Sequence, residues 1–235
     1  MTKSFLFASA SFISNSRPSS SVCFSIGHLP LPKDTSPPVV GIVGGIGSGK
    51  SSIVRSITDL PLTVIDADGA GHELLKNPEI KKQIVEEFGE SILTNQEIDR
   101  SLLADRVFGP DEAHARSLSA LNQILHPAIR KEILRQIQNA GDSAAIILDA
   151  ALLLEGNWAD DCDAIIYIDT PLAIRQQRVK VNRGWSEEEL SRREKRQWDL
   201  QKKRNAADFM VDNSSTPAKS AEEMKEILTR IIRSN

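Results

Sequence analysis

The chain has little cysteine, no long apolar run and almost no net charge. Only Cys23 and Cys162 occur in 235 residues. They lie far apart, with no His or Cys beside them at metal-ligand spacing, which excludes a zinc site and a disulfide framework. A reducing compartment fits this usage. No apolar stretch approaches the roughly 20 residues of a membrane-spanning helix, so a soluble chain with no membrane partner is expected. The formal net charge is −3, from 29 basic and 32 acidic residues. That balance removes any whole-molecule electrostatic case for binding nucleic acid, so recognition of phosphate has to be local. What remains is ordinary enzyme-like material: hydrophobic content of 40% supports one substantial core with room for a small appended subdomain.

Residues 1–38 differ from the rest. Serine is abundant, proline recurs at Pro18, Pro30, Pro32, Pro37 and Pro38, and Asp34 is the only acid. This segment is expected to stand outside the fold. Its acid-poor, Ser-rich character resembles an organellar transit peptide, although Arg17 is its single arginine. A disordered tail, or a start placed too far upstream, also reads from the same residues. The expected location is the cytoplasm, or an organelle if the segment is a transit peptide.

From Val39 onward short apolar runs alternate with helical patterns. The runs are Val39–Val43, Thr63–Ile65, Ala145–Leu148, Ala164–Ile168 and Phe209–Val211. A long helix is predicted from about Asp111 to Asn139, with Leu118, Leu121, Leu125, Ile129, Ile133 and Ile137 three or four apart. Alternation of this kind predicts an α/β fold of three layers, a parallel sheet covered by helices on both faces. Ligands of such folds bind at the carboxyl ends of the strands.

The first strand leads directly into Gly44-Gly45-Ile46-Gly47-Ser48-Gly49-Lys50-Ser51-Ser52, which matches the phosphate-binding loop pattern G-x-x-x-x-G-K-[ST]. Gly45, Gly47 and Gly49 let backbone N–H groups converge on phosphate oxygens. Lys50 brings a point charge to the β and γ phosphates, and Ser51 is a ligand for Mg²⁺. A helix predicted to start at Ser51 adds its N-terminal dipole.

Other acids close the predicted strands. Asp66 and Asp68 stand two apart where the second strand gives way to Gly69 and a helical pattern. One is placed to take a proton from an attacking hydroxyl and the other to position Mg²⁺ through water; either also suits a helix N-cap. Asp149 ends the run Ala144–Leu148, an arrangement of four apolar residues and an acid that suits a Mg²⁺ site beside a phosphate loop.

Residues 175–204 are densely basic, including Arg175, Arg178, Arg183, Arg192, Arg193, Arg196, Lys203 and Arg204. Ser186 and Glu189 form a capping box that starts a helix there. With little beyond Leu190, Trp198 and Leu200 to bury, this helix reads either as a solvated surface or as a mobile lid that neutralises transferred phosphate and excludes water. His126 precedes Pro127 and is expected to interrupt the long helical pattern.

Taken in order, the motifs resemble the dephospho-CoA kinase family. The resemblance rests on the glycine loop, Ile65–Asp68, Ile98-Asp99-Arg100 with Arg106-Val107-Phe108, and Leu125-His126-Pro127. It continues through Leu152–Glu155, Arg178, Arg183 and Gln197, then Ala207-Asp208 and Asp212-Asn213. It spans roughly Val39 to the C-terminus and implies a P-loop NTPase fold with a nucleotide core, a helical acceptor-binding region at about 69–140 and a mobile lid at about 175–205. It implies transfer of phosphate from ATP, with Mg²⁺, to the ribose 3′-hydroxyl of dephospho-CoA, the last step of coenzyme A synthesis. By position, residues 47–52, Ser52 included, hold ATP, Asp68 is the base, and Arg178 and Arg183 belong to the lid. Lys50, Asp66 and Arg178 assist catalysis, Arg183 touches the nucleotide, and Arg100, Arg106 and His126 bind the acceptor. Ser51 and Asp149 hold the metal.

Two positions depart from the family pattern: Val43 stands where Thr is usual, and Ala151 where Pro is usual. A monomer or weak homo-oligomer is expected. The alternatives are another small P-loop kinase, of the nucleoside monophosphate or shikimate type, and a GTPase switch. The last has a D-x-x-G at Asp66–Gly69 but no N-K-x-D to read guanine.

Overall fold

The structure, a computed structural model, describes residues 37–156 and 158–235. The expectations for residues 1–36 lie outside the described residues. Pro38, assigned above to the extension, is already part of the fold, since its carbonyl accepts a hydrogen bond from the Ile146 N–H at 2.9 Å.

Five parallel strands form the central sheet: β1 (Val39–Gly44), β2 (Leu62–Asp66), β5 (Ala145–Asp149), β6 (Ala164–Asp169) and β7 (Phe209–Asp212), in the order β2-β5-β1-β6-β7. Each matches one of the predicted runs. Two faces of the sheet are buried because neighbouring residues along each strand serve different cores. On β1, Val39 and Val43 join the core under α5 (Glu112–Gln138), whereas Val40 and Ile42 join the core under α1 (Lys50–Ser56) and α9 (Pro217–Ser234). On β6, Ile165 and Tyr167 face the first core and Ile166 and Ile168 the second. That is the three-layer α/β arrangement expected of a parallel sheet with apolar runs.

α5 buries the predicted stripe from Leu118 to Ile137. Contrary to expectation, it runs unbroken through His126 and Pro127. Proline removes one backbone donor and crowds the preceding turn, but Leu121 and Leu125 before it and Ile129 and Ile133 after it are all buried in one core. Burial on both sides of the proline keeps the helix continuous across a residue that local preference would use as a boundary.

Against α5 pack α2 (Ala67–Leu74), α3 (Pro78–Phe88) and α4 (Arg100–Val107). Between α3 and α4 lies a hairpin of β3 (Leu93–Thr94) and β4 (Glu97–Ile98), turned by Asn95 and Gln96 at φ of 51° and 63°. Positive φ at both central residues is the type I′ geometry that matches strand twist. Two-residue strands carry too few positions for an alternating pattern, and the sequence reading missed them.

The basic stretch is three helices, α6 (Leu172–Arg183), α7 (Glu187–Glu194) and α8 (Leu200–Asn205). Ser186 caps α7 as expected, its Oγ accepting from the Glu189 N–H at 3.2 Å. The stretch is not uniformly solvated: Arg175 and Lys203 are buried, and α8 packs against β1. No helix among the described residues is long and apolar enough to cross a membrane.

Candidate active site

The carboxyl ends of β1, β2 and β5 share one edge of the sheet, because the strands are parallel and in register: Asp66 pairs with Asp149, and Ile42 pairs with Asp149 on the other side. The glycine loop leaves β1 at that edge. Gly47 and Gly49 have φ of +78° and +89°, and a Cβ on Gly49 would stand 2.8 Å from the Asn213 Nδ2. Side chains are thus excluded both by backbone conformation and by what lies behind the loop.

What lies behind it is a ring of donors aimed at one carbonyl. Ser48 O accepts from Thr170 Oγ1 at 2.9 Å, from Arg178 Nη1 at 3.1 Å and from Asn213 Nδ2 at 2.6 Å. In a trans peptide the C=O and the following N–H point opposite ways, so drawing the Ser48 carbonyl backward turns the Gly49 N–H outward. Arg175 adds a second brace: buried, it donates to Ile46 O at 3.3 Å and Thr170 O at 3.2 Å and forms an ion pair with Glu194. The sequence reading placed Arg175 and Arg178 in a lid; both guanidiniums stand against the back of the loop. Arg183 lies farther along, at the end of α6, with its guanidinium 4.8 Å from the centre of the Trp185 ring, and Arg193 is 4.1 Å from the same ring.

Lys50 begins α1, one residue earlier than predicted, with Gly49 as N-cap. Ser51 and Ser52 follow at the exposed start of the helix. Ser51 Oγ donates to Asp149 Oδ2 at 2.7 Å, so the two oxygens expected to hold a metal are adjacent. Among the described residues no group of three or more His, Cys, Asp or Glu side chains gathers to hold an ion. A hydroxyl and one carboxylate, with the remaining positions left to phosphates and water, is a donor set that fits Mg²⁺.

The acids after β2 divide their roles. Asp66 caps α2, its Oδ1 accepting from the Gly69 N–H at 2.9 Å. Asp68, in the first turn of α2, accepts from the Ala151 N–H at 3.2 Å through Oδ2. Ala151 lies two residues beyond Asp149, the last residue of β5, so this bond ties the Asp68 carboxylate to the strand end that carries Asp149. Close packing of that segment depends on Gly41 of β1, where a Cβ would meet Leu153 Cδ1 at 2.9 Å and Cys162 Sγ at 2.9 Å. Cys162 is no nucleophile: burial and the charges of Asp161 and Asp163 push its thiol up to about 12.

The residues expected to bind the acceptor are spread over α4 and α5. Arg100 Nη2 lies 2.9 Å from His72 Nε2, joining α4 to α2. It lines a small, mostly apolar pocket with Leu75, Leu103, Val107, Phe108 and Leu121. Arg106 is exposed in the last turn of α4, off that pocket. His126 is half-buried on α5, and burial pulls its imidazole below the ordinary range. Thr170 and the bracing role of Arg175 were missed by sequence reading. Their only local signals are a hydroxyl just past β6 and an arginine four residues before buried Val179 on α6.

The family model for dephospho-CoA kinase matches residues 38–219. A dephospho-CoA kinase of Thermobifida fusca is 36% identical over 199 residues, covering 82% of this chain and 97% of its own. That of Aquifex aeolicus is 33% identical over 196 residues, covering 83% and 97%. Among solved structures, the protein TT1252 from Thermus thermophilus superposes with a TM-score of 0.72 at 28% identity, covering 83% of this chain and 98% of its own. The dephospho-CoA kinase from Campylobacter jejuni shares the fold, with a TM-score of 0.53 at 24% identity, covering 83% and 97%. With this glycine loop, this acid pair and a family match over most of its length, the chain belongs to the dephospho-CoA kinase family.

Proposed function

We propose that the protein transfers the γ-phosphoryl group of ATP to the ribose 3′-hydroxyl of dephospho-CoA, giving coenzyme A and ADP. The single observation that carries the reading is the pairing of Asp68 with Ala151: it puts a carboxylate, held by a backbone N–H, at the strand end where Ser51 and Asp149 meet.

In this reading the glycine-loop N–H groups and Lys50 bind the triphosphate. The acceptor oxygen attacks the γ-phosphorus as the bond to the β–γ bridging oxygen breaks, and the hydroxyl proton passes to Asp68. Ser51 and Asp149 would hold Mg²⁺, which, when bound, neutralises charge on the β and γ phosphates. Asp66 fixes the start of α2 and with it the direction in which Asp68 projects. Arg178 keeps the loop open to phosphate from behind. Arg183 and its neighbours on α7 form a lid that keeps water out. Arg100, Arg106 and His126 lie on the helices assigned to the acceptor. A cytoplasmic location, or an organellar one if residues 1–38 direct import, belongs to the same proposal, as does a monomer or weak homo-oligomer.

The test is to incubate the protein with ATP, Mg²⁺ and, separately, dephospho-CoA, nucleoside monophosphates and shikimate. Phosphorylation of dephospho-CoA alone supports the reading. Preference for any other acceptor overturns it.

A further inference from the structure

One buried ion pair stands outside the roles given so far. Lys203 Nζ lies 3.2 Å from Glu155 Oε1, with side-chain exposures of 2% and 3%. The same Glu155 oxygen accepts from the Trp198 backbone N–H at 2.7 Å, and Lys203 donates to Gln197 Oε1 at 2.9 Å. Both charges therefore grip one short stretch of chain, the joint between α7 and α8. The other oxygen of Glu155, Oε2, is buried with no hydrogen-bond partner among the described residues.

A pair this deep is a poor way to stabilise a fold, because desolvation offsets most of the Coulomb gain and apolar residues of like size do as well. Its placement offers a different use. Glu155 ends the segment that starts at Ala151, whose N–H holds Asp68. Four residues before Trp198, Glu194 pairs with Arg175, which braces the loop carbonyl of Ile46. Between these points the Arg196 guanidinium lies 5.6 Å from the ring centre of Phe108, on the acceptor side. The joint is thus fastened to the phosphate loop at one end and to the Asp68 segment at the other. Desolvation lowers the affinity of Lys203 for its proton, Glu155 opposes that, and the charge of nearby Lys50 adds to it.

We propose that Glu155 is a positioning residue for phosphoryl transfer, acting through the Trp198 N–H and the Lys203 ammonium to register the lid joint against the segment that holds Asp68. The proposal rests on the reading of Arg183 and α7 as a lid over an ATP site. A displaced joint leaves the binding loop intact but misplaces the groups that close over the phosphoryl group, so water competes with the acceptor.

The experiment compares wild type, Glu155→Asp and the double variant Glu155→Gln/Lys203→Met. The double variant buries no unpaired charge, and the aspartate keeps the charge while shortening its reach. Each is assayed for kcat, KM for ATP, thermal unfolding, and ADP formed per acceptor phosphorylated. In both variants kcat should fall by as much as about 100-fold, the scale of a misplacement of about 1 Å. KM for ATP should stay within about threefold, and the ADP-to-product ratio should rise above one. Should the aspartate variant fail to fold, the double variant decides alone, and the reverse holds equally. Wild-type kcat and a ratio of one in a folded variant would overturn the proposal, leaving the pair a packing feature. If wild type prefers an acceptor other than dephospho-CoA, the functional reading fails separately, and the ratio is read with that acceptor instead.

Discussion

Asn213 Nδ2 donates to Ser48 O at 2.6 Å, although the two residues are 165 positions apart. Asn213 is itself held by the Ser220 hydroxyl at 2.9 Å, so a helix at the end of the chain sets a peptide plane near its beginning. Asn213→Asp keeps the shape and replaces the donor with an acceptor facing a carbonyl. It should cost about 1–3 kcal/mol of stability and raise KM for ATP, measured by denaturant unfolding and steady-state kinetics. An unchanged KM would mean that Thr170 and Arg178 suffice to hold the loop.

Lys50→Ala should lower kcat by about 100-fold or more, the usual scale for removing a preorganised charge from a transition state. The melting temperature should move by no more than about 2 °C, because Lys50 stands partly exposed in the first turn of α1 and outside both cores. Turnover near wild type would remove Lys50 from the site.

Asp68→Asn retains an oxygen for the Ala151 N–H, so the local structure should survive. Loss of the proton acceptor should lower kcat by about 100- to 10,000-fold with little change in KM for ATP. A raised KM with preserved kcat would instead make Asp68 a binding residue.

Deleting residues 1–36 should leave both activity and melting temperature as they are. Extending the deletion through Val40 removes the Pro38 contact to Ile146, the Val39 N–H bond to Asp163 at 2.8 Å, and two buried valines. Each buried valine is worth about 1.5–3 kcal/mol, so the longer deletion should unfold at markedly lower temperature. Calorimetry of the two truncations tests both statements.

His126 gives a pH signature. Burial lowers its folded value below the ordinary 6.5, so the unfolded chain takes up a proton before the folded one does. The stability tied to a neutral His126 is therefore complete above about pH 6.5 and is lost as pH falls through the window below it. His126→Gln should flatten the drop in melting temperature between pH 7.5 and 5.5. Parallel curves for variant and wild type would show that other groups set the dependence.

The strands of the main sheet and the stripe of α5 were legible because their periods are written locally. So was the phosphate loop, whose chemistry needs contiguous residues. Arg175 and Lys203 were misjudged because their acids, Glu194 and Glu155, lie 19 and 48 positions away; a run of charge shows its own sign but not its partners. The donors on Ser48 O come from beyond β6 and β7 for the same reason, and only folding brings them together. Asp66 shows the converse, since an N-cap reading and a site reading fit the same two-residue spacing and the hydrogen bond to Gly69 was needed to separate the acids.

The place of β1 between β5 and β6 has a consequence for biosynthesis. Val39 pairs with Ile146 and Val40 with Ala164, so the strand made first among those described waits for more than a hundred further residues. At about 5–20 residues per second, its valines and isoleucine spend several seconds or more without a sheet to enter. A nascent chain halted before Ala145 would carry every residue of the glycine loop and no scaffold to shape it, so nucleotide affinity should emerge late and abruptly as the ribosome advances.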